Sequence, residues 1–184
     1  MTNRPATLGP ETPVQAPVLG MEDYTPQAKA YWWTTTLVGA AALGLALLDV
    51  VKLDPGIVLQ TLGGAVLAAL VALFPVRIPG TKTSLAGAEL IIFLLLLVHG
   101  PAAATIAAAA EAAIGSLRTS KRWTSRIGSP TMVALAMYGC GTAFTLATTA
   151  ARNEGVLNDS LLFIALFAFA LVYFACSTLL MVSL

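Results

Sequence analysis

The stretch SLLFIALFAFALVYFACSTLLMVSL, Ser160 to Leu184, holds no charged residue, no glycine and no proline. A hydrocarbon layer about 30 Å thick takes roughly 20 such residues to cross as a helix. In water a helix apolar on every side must be covered on every side, and this chain has little polar material to cover the apolar mass. Of its 184 residues only 10% are charged and 58% are hydrophobic, with mean hydropathy +0.84. Soluble domains carry about 25% charged residues. Ten Lys and Arg with nine Asp and Glu are too few to coat a globule of this size. The chain therefore reads as an all-α membrane protein, a bundle of about six transmembrane helices with lipid as its main partner.

Five further apolar segments precede that stretch. The first, 31–51, opens on Tyr31-Trp32-Trp33, amphipathic rings suited to the headgroup level. It ends at Lys52, Asp54 and Pro55. The second, 56–74, stops at Pro75-Val-Arg77-Ile-Pro79-Gly80, where two prolines flank an arginine. The third, 84–98, contains Glu89 and breaks at His99-Gly100-Pro101. The fourth, 102–117, is mostly alanine around Glu111. The fifth is expected from Pro130 to 150, and the sixth over 160–184. Residues 1–30 hold five of the ten prolines and no apolar run, so they read as a disordered, Pro-rich cytoplasmic tail rather than a signal peptide. The last helix runs to Leu184 without a polar stop, which leads us to expect a longer natural protein.

Basic residues in short loops set orientation. Arg118, Lys121, Arg122 and Arg126 follow the fourth segment and place that loop in the cytoplasm. Alternation puts Arg77 and Lys82 on the same side. The Lys52, His99 and 152–159 turns fall outside, and both termini fall in the cytoplasm. The expected setting is the cell's inner (plasma) membrane, crossed several times. The near-neutral balance, net charge +1, lacks the concentrated basic face of a nucleic-acid binder.

Two acids inside the apolar segments stand out. A carboxylate in the bilayer costs a few kcal/mol and usually faces a partner or a wet cavity. Glu89 and Glu111 fall at similar depth near the cytoplasmic end. They form a candidate ligand-binding polar site, with Arg77, Lys82 or Arg118 as counter-ions, suited to a cationic or amine-bearing small molecule. The plainer reading pairs each acid with a loop base to fix helix packing. Trp32, Trp33, Lys121, Arg122 and Arg126 are candidate lipid contacts, with the neighbouring Thr-Ser pairs at 119–120 and 124–125 as caps or anionic-lipid contacts. His99 has no metal-ligand partners at suitable spacing. Cys140 and Cys176 lie in apolar runs and suggest no disulfide framework. Neither a catalytic set nor a cofactor is expected in this segment. Small residues, including Gly39, Gly44, Gly63, Gly64, Gly139 and Gly141, suit close helix packing. A homodimer through the fourth or fifth helix is the alternative use for them.

Two loop blocks are distinctive. One is Phe74-Pro-Val-Arg-Ile-Pro-Gly-Thr-Lys-Thr-Ser-Leu-Ala-Gly-Ala-Glu89, followed by an apolar helix ending His99-Gly-Pro. The other is Glu111-Ala-Ala-Ile-Gly-Ser-Leu-Arg-Thr-Ser-Lys-Arg-Trp-Thr-Ser-Arg-Ile-Gly-Ser-Pro130. With Val172-Tyr-Phe-Ala-Cys-Ser-Thr-Leu-Leu180 they resemble the N-terminal membrane sensory region of bacterial cyclic-di-GMP signalling proteins. The resemblance covers about residues 35–184, and Ser177 stands where that group often has asparagine. It implies a multi-span sensor module preceding a cytoplasmic GGDEF, EAL or HD-type output domain, of which no residue is present here. Two readings from other classes stay open: a solute-binding subunit of a transporter, and a structural subunit of a membrane complex.

Overall fold

A computed structural model describes residues 24–74, 76–77, 84–85 and 87–182. It contains six α-helices: α1 Pro26–Val51, α2 Pro55–Ala72, α3 Ala88–His99, α4 Pro101–Thr119, α5 Trp123–Asn153 and α6 Asp159–Val182. Two-residue strands β1, Val76–Arg77, and β2, Ser84–Leu85, pair antiparallel between α2 and α3. The expected tail over 1–30 lies outside the described residues up to position 23, as does Lys82. So does the side chain of Arg77, although its backbone is placed in β1.

Local chemistry explains the helix starts. The Thr25 hydroxyl accepts from the Ala28 amide at 3.2 Å, and Pro26 follows at the first helical position, where a missing N–H costs nothing. Pro55 and Pro101 open α2 and α4 in the same way. Between α3 and α4 the chain reverses at Gly100, whose φ is 86°. A side chain there would be strained, so glycine is the residue that permits the turn.

The fifth helix corrects the expected boundary. It begins at Trp123, not Pro130, and carries Pro130 inside. Proline was read as a helix start because it lacks the amide an interior turn needs. Here the turn is reinforced instead by the Thr131 hydroxyl, which donates to the Ile127 and Gly128 carbonyls at 3.0 and 2.9 Å. The basic loop shrinks to three residues, and Arg126 moves onto α5. At 31 residues, α5 is about 46 Å long and outruns the hydrocarbon layer. The third segment is shorter than expected, 12 helical residues.

Four helices, α1, α2, α5 and α6, are long and apolar enough to cross a membrane. Their outward faces carry large apolar side chains: Leu59 on α2 is 72% exposed and Phe163 on α6 is 73% exposed. Such faces are stable against lipid tails and costly in water. This is a helical membrane protein.

The centre of the bundle is α4. It packs against α1, α2, α3 and α5, and Ala103, Ala104, Ala107 and Ala108 are wholly buried. Lipid tails are as apolar as leucine, so helices in a membrane associate through close backbone approach instead. Alanine permits that on every face. The contact of α1 with α5 is closer still, since a Cβ on Gly39 would lie 2.1 Å from the Thr131 carbonyl oxygen. Of α6, by contrast, only Phe169 and Tyr173 are buried among the described residues. One end of the bundle gathers the start of α1, the start of α5 and the end of α6. The Tyr31 hydroxyl donates to the Leu180 carbonyl at 3.3 Å, and Trp32 Nε1 donates to the Thr124 carbonyl at 3.3 Å.

Gly39→Ala should force α1 and α5 apart and destabilise the protein by about 1–3 kcal/mol, the usual cost of overpacking. Gly44→Ala meets nothing within 4 Å and should be neutral or stabilising. Thermal unfolding in detergent, followed by size exclusion, checks both. Equal tolerance of the two substitutions would refute the close approach.

Candidate functional site

Glu89 lies in the first turn of α3, and Glu111 lies on α4 near its basic end. Both are half-buried. Their carboxylates are within electrostatic reach of each other and of the Tyr173 hydroxyl on α6. Helix geometry gives the reason. Phe93 is one turn beyond Glu89 on the same face, and its ring packs edge-on against Phe169 and Tyr173, with centroids 5.5 and 6.2 Å apart. Glu89 therefore looks toward α6. The two acids expected at one depth do come together, where α3, α4 and α6 meet.

The expected counter-ions stand elsewhere. Arg118 donates to the carbonyl of Leu73 and, at 3.5 Å, to that of Ala72. It caps the end of α2, whose last carbonyls lack helical partners. Arg126 Nε donates to the Ser120 carbonyl at 3.0 Å. Among the described residues neither glutamate has an ion-pair or hydrogen-bond partner. The ion pair found there, Lys52 with Asp49 at 3.6 Å, lies at the opposite end of α1. Two carboxylates side by side without a cation repel each other.

Tyr173 was not foreseen as a site residue. It is 7% exposed, and its hydroxyl has no hydrogen-bond partner among the described residues. Its signal in the sequence was a lone phenol on a helix face otherwise made of hydrocarbon. Asp49 was also missed: it accepts from the Tyr138 hydroxyl at 3.4 Å.

The lipid-contact candidates divide. Trp32 is 2% exposed and acts as a helix clamp, packed edge-on against Trp33 and Trp123 at 5.0 and 5.6 Å. Trp33 is exposed. Lys121 and Arg122 occupy the short turn between α4 and α5. His99 ends α3 beside the Gly100 turn, and no three His, Cys, Asp or Glu side chains cluster among the described residues. Cys140 and Cys176 carry free thiols and together line an apolar cleft between α5 and α6. Compared with models of protein families, with curated proteins and with solved structures, the chain matches none.

If Arg118 serves α2, Arg118→Ala should lower stability by about 1 kcal/mol, and the loss should be additive with that of Glu111→Gln. A counter-ion would show coupling in the double-mutant cycle. Thermal midpoints of the four proteins in detergent decide between the two.

Proposed function

We propose that the chain is a membrane-embedded sensory or regulatory module that couples a ligand, or the state of the membrane, to a cytoplasmic output. Helices α1, α2, α5 and α6 cross the plasma membrane, with α3 and α4 as a short central hairpin between them and both ends of the bundle inside. Arg118, Lys121, Arg122 and Arg126 mark the cytoplasmic end. The neighbourhood of Tyr31 and Leu180 supports this arrangement, because the first and last helices meet at that end.

One observation carries the functional reading: two half-buried acids and a buried phenol converge with no partner among the described residues. The site suits a cationic or amine-bearing small molecule, which would donate to the carboxylates and relieve their repulsion. Its third wall is α6, which is held mainly through Phe169 and Tyr173. A ligand that binds two positions of α6 with unequal affinity would shift the balance between them. By the resemblance noted above, the output would be synthesis or hydrolysis of cyclic-di-GMP.

In the complete gene product, Glu89→Gln and Glu111→Gln should each abolish regulation of diguanylate cyclase or phosphodiesterase activity while leaving a folded protein. Cellular cyclic-di-GMP and activity in isolated membranes measure this. Unchanged output and unchanged regulation in both variants would remove the acidic pair from the mechanism.

A further inference from the structure

Apart from the acidic pair, the basic end of the bundle holds a polar cavity, of about 360 Å³, between the starts of α1 and α5 and the end of α6. Its polar lining is Tyr24, Ser120, Arg122, Thr124, Ser125 and Ser129, and no acidic side chain lines it among the described residues. It sits over the first turn of α5. That helix has no side-chain cap, and the amides of Trp123, Thr124 and Ser125 have no acceptor among the described residues. The first amide bonded in the helical manner is that of Arg126, to the Arg122 carbonyl at 3.2 Å. An uncapped helix start offers N–H donors and positive potential to an anion.

A second observation is independent of the helix end. Thr124 lines the cavity and is 5% exposed, yet its hydroxyl makes no hydrogen bond among the described residues. That oxygen is not closed off by protein and faces the cavity, so a ligand acceptor there would give it a partner. The frame around it is fixed by other bonds. Trp32 clamps the Thr124 carbonyl and lies so close over Gly128 that a Cβ there would come within 2.8 Å of its Nε1. Ser120 accepts from the Arg122 amide at 3.2 Å, which holds the turn that presents the Arg122 guanidinium. Lys121 and Arg126 add positive charge close by.

We propose that this cavity binds a phosphate group, either the headgroup of an anionic lipid or the phosphate of a soluble compound. The phosphate oxygens accept from the α5 amides and the Thr124, Ser125 and Ser129 hydroxyls, with Arg122 as the charged clamp. Met181 of α6 also lines the cavity, so the occupant bridges the first, fifth and sixth helices. This assignment stands apart from the acidic pair and does not depend on it.

The test uses the full chain in neutral detergent at constant ionic strength, titrated with inorganic phosphate while tryptophan emission reports on the cluster of Trp32, Trp33 and Trp123 beside the cavity. A parallel arm reconstitutes the chain in phosphatidylcholine vesicles with and without phosphatidate. A saturable response to phosphate identifies a site open to soluble compounds. A response to phosphatidate alone assigns the headgroup as its source. Arg122→Gln and Ser125→Ala should each weaken binding about tenfold, with folding checked by size exclusion, while Lys52→Gln at the far end of α1 should bind like the wild type. No saturable response in either arm, or wild-type affinity in both Arg122→Gln and Ser125→Ala, would overturn the proposal.

Discussion

The bundle depends on one helix being narrow. α4 touches four other helices at once, which is feasible because its buried positions are all small: Ala103, Ala104, Thr105, Ala107, Ala108, Ala109 and Ser116. In lipid there is no hydrophobic force to drive helices together, so stability comes from the number of atoms brought into contact at short range. A central helix with only small side chains at its buried positions lets four backbones close in around it. The larger side chains, Ile92, Leu95 and Leu96 of α3 and Met132 and Met137 of α5, fill the remaining gaps. Leu59 and Leu62 of α2 and Phe163, Phe167 and Leu171 of α6 are left to the outside, facing the acyl chains. This inversion of the water-soluble pattern gives the low charge content its meaning.

Much of the architecture could be read from the chain because prolines, glycines and charges punctuate it. Pro55 and the Gly100-Pro101 turn lie at helix ends in both the sequence and the structure. Pro130 misled, since a proline is tolerated inside a long membrane helix; here it frees the Arg126 carbonyl, while the Thr131 hydroxyl adds bonds to the next two, of Ile127 and Gly128. The strands at Val76–Arg77 and Ser84–Leu85 were invisible because two residues carry no period. The meeting of Glu89 with Glu111 followed from their matched depth. Their lack of counter-ions did not, because the target of Arg118 depends on how α4 sits against α2, a tertiary matter. Tyr173 was missed for a similar reason, since its burial beside the acids is a property of packing and not of residue type, whereas the Thr124-Ser125 pair was read as a cap or anionic-lipid contact.

The two polar sites differ in charge and in company. The acids of α3 and α4 look toward Tyr173, and the phosphate cavity of α5 opens beside Met181. Both therefore touch α6, the helix with the fewest buried residues. A loosely held element bordered by an anionic cluster and a cationic one is well placed to report on ligands of either sign.

The most direct test of the central claim is to widen α4 and measure the sign of the effect. Ala104→Leu, Ala107→Leu and Ala108→Leu should each collapse the fold or lower its thermal midpoint sharply in detergent, because leucine has no room between four packed helices. If α4 instead faced lipid, leucine would be neutral or stabilising at these positions. That outcome at all three would contradict the account.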